Sequence, residues 1–244
     1  MFADCDVTTS PSGTPARDLR GAVRLWAVDL DAFLAQAPRW AEQLGHDERV
    51  RATRLGAGRA QARFIVRRTL LRDLLHRSHA TLPEGAGLPI ADDAAGAAGG
   101  VHYAVAQCGD LALIAVAARP VGLALVRVAA VDAALLPDVL APSEIALLAE
   151  LPAPRAAVAA ALLLASKQAY CQARHASVTP EALVVTLADG GLPCLRAGIA
   201  GDDPAEWTLL PVPTASGHVA VLAVPGGEDW HLHQDRVDAM TGWV

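Results

Sequence analysis

Arg59, Arg63 and Arg67 recur at i, i+4 and i+8 inside GRAQARFIVRRTLLRDLLHRS, a spacing that lines three guanidinium groups along one helix face. Such groups grip phosphate or carboxylate through paired hydrogen bonds, so the stripe reads either as a phosphate or acidic-partner surface or as a solvated face. Nineteen of the twenty basic residues are Arg, nine of them between Arg49 and Arg77, and Lys167 is the only lysine. A compact ammonium kept in a chain that otherwise uses Arg points to a specific task; a side chain snorkelling at a helix end is the plainer reading. Cys108 is a candidate nucleophile, with His102, Asp110 and Lys167 as acid–base groups, although a small thiol buried in a hairpin has the same signature. His231 and His233 form a His-x-His, which alone does not make a zinc site. Gly-x-Ser-x-Gly and phosphate-loop spacings are absent.

The elements that must position these residues follow from periodicity. VRLWAVDL, from 22, alternates as a half-buried strand. Helical patterns cover about 31–44, 46–55 and 58–78, the last with Phe64, Ile65, Leu71, Leu74 and Leu75 on one broad face. The Gly/Ala/Pro-rich stretch 81–100 reads as a long loop. A hairpin is expected over 101–117, turning at Gly109–Asp110, with a third strand after Pro120. Short helices near 131–137 and 142–150 follow, the second marked by Pro142–Ser143–Glu144. A long helix over 154–175 comes next, then strands near 182–188, 193–197, 206–212 and 218–224. AAVAAALLLA (156–165) is apolar on every side and too short to span a bilayer, which places it centrally between two halves. GHVAVLAVP (217–225) echoes GDLALIAVA (109–117), so each half ends in a hairpin after a long helix.

The expected class is therefore α+β, with two pseudo-duplicated halves, each a long helix plus a small sheet. The expected organisation is a flexible tail over 1–20, an N-terminal half over 21–118, a C-terminal half over 119–226 and a C-terminal tail over 227–244. With 53% hydrophobic residues and 4% aromatic, the core must be aliphatic. A net charge of −6 argues against nucleic acid or an anionic membrane as partner. No secretion signal or membrane span is read. The four cysteines lie far apart without a CxxC pair, so a reducing cytoplasm is expected.

Four segments, in order, resemble the Sfp-type 4'-phosphopantetheinyl transferases: HDERVRATRL with RFIVRRTLLRDLL, HYAVAQCGDLALIAVA, PVGLALV and LASKQAYCQA. GLPI (87–90) is a weaker fit to the family's Gly-Lys-Pro. Together they run from about 23 to 225, nearly the whole chain. The resemblance implies that fold, coenzyme A or phosphopantetheine as cofactor, and an acyl or peptidyl carrier protein as partner. It also implies a fatty-acid, polyketide or nonribosomal-peptide context.

The same resemblance identifies what has changed. The family's two carboxylates in the third segment and one in the fourth hold Mg²⁺; here those positions are Ala124, Val126 and Gln168. Two offer no ligand atom and one only a neutral carbonyl, so no metal site is expected. Gln168 cannot serve as a general base, because an amide has no accessible pKa. The phosphate-contacting His is Gln107, the Ser before it Ala106, and the second Lys of the fourth segment Gln172. The candidate catalytic set is thus Lys167, Gln168, Gln107 and Cys108, and the cofactor-binding set Arg59, Arg63, Arg67 and Lys167. The expected function is that of a member that has lost Mg²⁺-dependent transfer and engages a carrier protein, pantetheine arm or coenzyme A. It would do so as a binding partner or with metal-free chemistry on a tethered acyl group. The alternatives are an active Mg²⁺-dependent holo-[acyl-carrier-protein] synthase whose ligands are Asp110, Asp132 or Glu144, and a non-catalytic structural partner in a biosynthetic complex.

Overall fold

In the computed structural model, the residues described are 19, 21–78, 95–176, 182–188, 190–226 and 230–237. They fall into two compact units, one of Arg119–Trp230 and the other of the residues up to Ala118 together with those from His231 onward. Among them, no helix is long and apolar enough to cross a membrane.

The first unit opens with β1 (Ala22–Asp29), which is buried on both faces, with Val23 and Leu25 on one and Trp26 and Val28 on the other. The expected helix over 31–44 is broken. A 3₁₀ turn at Leu30–Gln36 runs into α1 (Ala37–Trp40) and a second 3₁₀ turn at Ala41–Gln43, with Pro38 inside α1's first turn. Next come α2 (His46–Arg54) and the long α3 (Arg59–Arg77). Phe64, Ile65, Leu71, Leu74 and Leu75 are all buried, and the core they enter includes Trp26, Phe33, Tyr103 and Ile114. β2 (Ala95–Ala98) lies in the stretch expected to be loop. Its Ala-Gly sequence has little strand preference of its own; pairing with the next strand, Ala95 opposite Ala104 through Ala98 opposite Val101, holds it extended. GLPI (87–90) lies outside the described residues. β3 (Val101–Cys108) and β4 (Leu111–Ala117) form the expected hairpin, with Gly109 supplying the positive φ of 67° that its turn requires.

The second unit starts at β5 (Gly122–Arg127). α4 (Leu136–Val139) and α5 (Pro142–Ala149) precede the long α6 (Ala153–Ala173), which packs across β5. That crossing is very close. A Cβ on Gly122 would lie 1.8 Å from the Ala169 carbonyl oxygen, so no other residue fits there. β6 (Val184–Leu187) and β7 (Pro193–Ala197) form a separate hairpin. β8 (Trp207–Val212) and β9 (His218–Pro225) complete a three-stranded sheet in the order β5-β9-β8. The core is mostly aliphatic, with Ala160, Leu163, Ala165, Ala169 and Val221 among its members, but Tyr170 is fully buried in it. α6 lies on β5 and β9 with one side only, so Val158 on its outer side stays 48% exposed. Apolar composition all round the helix does not bury all of it.

The chain then returns to the first unit. His231–Val237, expected to be tail, is a strand, β10, paired parallel with β1. The first unit's sheet therefore runs β10-β1-β4-β3-β2. Leu232 and Val237 are buried, whereas His231 and His233 share the exposed face. With polar residues dominating HLHQDRV, the strand is stabilised by its neighbour rather than by its own pattern.

Candidate functional site

The arginine stripe is built by α3 and answered from within the same unit. Arg63 makes a two-pronged bond to Asp31, Nε to Oδ1 at 2.7 Å and Nη2 to Oδ2 at 2.8 Å. Arg59 Nη1 stands 3.6 Å from the same carboxylate, with its own side chain 76% exposed. The Arg63 hydrogen bond holds the Asp31 carboxyl below the usual carboxylate range, and Asp31 in turn holds the Arg63 proton more firmly. Asp31 is present in the sequence two residues past the first strand, but nothing in its local pattern announces this role.

Arg67 is buried and donates from Nη1 to Gln107 Oε1 at 2.9 Å; its guanidinium also sits 5.7 Å from the Phe64 ring. Gln107 Nε2 donates in turn to the Gly109 carbonyl at 2.9 Å. Two of the sequence-derived site residues are thus brought together, Arg67 from the helix and Gln107 from the hairpin. Cys108 ends β3 beside them, half-buried and free. His102 does not join it. The two lie on one strand, opposite Ala117 and Leu111, and six residue steps along it set them roughly 20 Å apart. Asp110 is exposed at the turn. The Cys108–His102 nucleophile–base pairing considered from sequence is therefore not assembled.

Deeper in the first unit, Glu48 is almost fully buried. It caps its own helix by accepting from Gly45 N at 2.9 Å, and it receives Arg68 Nε at 2.7 Å and Arg72 Nη2 at 2.6 Å. Burial pushes the Glu48 carboxyl up, but Arg68, the Gly45 N–H and Arg72 together outweigh burial and leave its pKa lowered.

The remaining site positions lie in the second unit. Ala124 is 4% exposed and belongs to the core with Ala165 and Ala169; Val126, two residues on, packs against the same cluster. The β5 face that carries Ala124 and Val126 thus points into packed aliphatic side chains. Gln168 is exposed on α6. Gln172 Oε1 accepts from Leu123 N at 2.6 Å and so ties α6 to β5. A methyl group, an isopropyl group and a neutral amide do not fit a divalent cation. Among the described residues, no group of three His, Cys, Asp or Glu side chains gathers as a metal cage.

The carboxylates weighed as substitutes are otherwise engaged or exposed. Asp132 accepts from Ala134 N at 2.9 Å, capping a 3₁₀ turn. Glu144 is buried; it accepts from Ala141 N at 2.7 Å and Val185 N at 2.7 Å, and meets Lys167 Nζ at 2.6 Å. Lys167 is 6% exposed and also donates to the Val139 carbonyl at 3.1 Å. Its ammonium is neither snorkelling nor at the surface. The Pro-Ser-Glu helix start marked Glu144 as a cap, but nothing in the sequence linked it to Lys167.

No protein family and no curated protein matches the chain. Among solved structures, part of it is similar to the holo-[acyl-carrier-protein] synthase of Thermotoga maritima, at 18% identity and a TM-score of 0.36. That match covers 45% of this chain and 64% of the other. A second similarity is to the holo-ACP-synthase of Plasmodium yoelii, at 14% identity and a TM-score of 0.34, covering 45% of this chain and 95% of that one.

Proposed function

We propose that this chain is a phosphopantetheinyl-transferase-like protein that engages a carrier protein, its pantetheine arm or coenzyme A without Mg²⁺-dependent transfer. The observation carrying this reading is the burial of Ala124 against Ala165 and Ala169 of α6, with Val126 packed on the same cluster. A site that has merely moved its metal would leave open or polar surface behind. This one is filled with aliphatic side chains, and Gln172 joins the same strand and helix with a hydrogen bond. Binding is favoured over metal-free chemistry because His102 lies far along the strand from Cys108.

Two features support a duplicated architecture. In each unit, the first strand pairs antiparallel with the second strand of a hairpin that follows the long helix: β1 with β4, and β5 with β9. Each unit also buries a glutamate at the third position of a short helix, Glu48 in α2 and Glu144 in α5. Each glutamate caps its helix and takes a cation from the long helix, Arg68 in one case and Lys167 in the other. On this reading the lone lysine is the counterpart of Arg68, and it holds the fold rather than a phosphate. Of Arg59, Arg63, Arg67 and Lys167, the ligand-facing cation is then the exposed Arg59.

Incubation with coenzyme A and an apo carrier protein, with and without Mg²⁺, tests the proposal by mass spectrometry. No phosphopantetheine addition is expected, and calorimetry should show binding of holo carrier protein or coenzyme A. Mg²⁺-dependent modification would overturn the loss of transfer, and absence of binding to both ligands would overturn the partner role.

A further inference from the structure

The first unit's sheet ends on a strand with very little of its own to hold it. β2 closes the sheet at one edge, so β3 alone pairs with it. Its four side chains are three methyl groups and a hydrogen atom, and only one of the four residues, Gly96, is buried. Alanine and glycine favour a strand weakly, and a glycine inside one weakens it further. Hydrogen bonds to a single neighbour are therefore most of what keeps β2 in place. β4 is the opposite case, paired on both sides and fully buried from Ala112 to Ala117.

A polar group works against the weak strand. Tyr103 stands opposite Gly96, and its ring lies across that glycine. A Cβ at position 96 would lie 2.7 Å from the phenol oxygen and 2.8 Å from Cζ, so glycine is the residue that lets the ring pass. Tyr103 is fully buried, and its hydroxyl has no hydrogen-bond partner among the described residues. Burial pushes the phenol up to about 12, against the pull of Arg68. A buried hydroxyl that bonds nothing costs the closed sheet its desolvation penalty, and water restores those bonds once β2 lifts away.

We propose that β2 is a strap that opens and closes over Tyr103 while the rest of the sheet stays folded, with the unpartnered hydroxyl setting the balance. Separate opening belongs to elements that bury little apolar surface and are held from one side. The strap needs neither a carrier protein nor coenzyme A, so it stands apart from the binding role.

Native-state hydrogen exchange of the full chain, followed by NMR in urea below the unfolding midpoint, tests it. The β2 amides bonded to β3 should be about 100-fold less protected than those of β4, and urea should hardly change their protection. Tyr103→Phe keeps the ring and removes the hydroxyl, and should raise β2 protection about tenfold. Ala97→Val, at an exposed position, adds strand preference without touching the phenol and should raise it about threefold. Exchange of β2 in step with β4 would overturn the strap, as would unchanged β2 protection in either variant.

Discussion

The ammonium of Lys167 lies 2.6 Å from the Glu144 carboxylate, with both side chains almost fully buried. The carboxylate is held as well by two backbone N–H groups, from Ala141 and Val185. Three elements of the second unit meet at this one ion: α5, α6 and β6. Removing the cation strands a charge where water does not reach. Lys167→Met should therefore destabilise the chain by about 3–5 kcal/mol, and adding Glu144→Gln should recover part of the loss, as read from urea unfolding of both single variants and the double. Additive losses would mean that the pair is not coupled.

Glu48 gives the first unit its acid sensitivity. Its folded pKa is lowered below the ordinary 4.5, so the stability it confers is present in full above that value. That contribution is lost progressively as pH falls through the depressed folded value. Glu48→Gln should flatten this part of the acid limb while lowering stability at neutral pH by about 3–5 kcal/mol, because Arg68 is then buried without its anion. Urea midpoints measured from neutral pH to below 4.5 check both halves of the expectation.

The packing of the β5 face makes placing a carboxylate there a stability experiment before it is a catalytic one. Ala124→Asp buries an unpaired acid among methyl groups and should cost about 3 kcal/mol or more. Gln168→Glu, on an exposed helix position, should stay within about 0.5 kcal/mol. Thermal melts with and without Mg²⁺ should show no metal-dependent rise for either. A rise with Ala124→Asp would show that a metal can still be seated beside that strand.

Gly122→Ala should cost at least about 3 kcal/mol, because the added methyl group meets backbone atoms of α6 that have no rotamer to change. Chemical denaturation compared with Gly109→Ala separates the two glycines. The second, in an open turn with φ of 67°, should lose only about 1 kcal/mol.

Gln107→Leu removes one charge-assisted hydrogen bond to the buried Arg67 guanidinium and should cost about 1.5–3 kcal/mol, with Gln107→Glu matching or exceeding the parent stability. Unfolding midpoints of the two variants, measured side by side with the parent, check the order.

By itself, the sequence determined the elements whose hydrophobic period is strong: β1, the hairpin of β3 and β4, α3 with its buried face, and α6 with the sheet strands after it. It also determined that Ala124 and Val126 share a face without ligand atoms, since alternation along a strand is a local property. What it did not contain were relations between segments far apart in the chain. β10 is a polar stretch that becomes a strand because β1 offers it an open edge, and β2 is an Ala-Gly run held by β3. The tasks of the charged residues were likewise decided in three dimensions. Arg63 is matched by Asp31 across 32 residues and Arg67 by Gln107 across 40, while Lys167, which looked like a ligand for phosphate, meets Glu144 inside the second unit. Residue type fixes the sign and geometry of a side chain's interactions; the surroundings that satisfy them are supplied by the packing of elements that are distant in sequence.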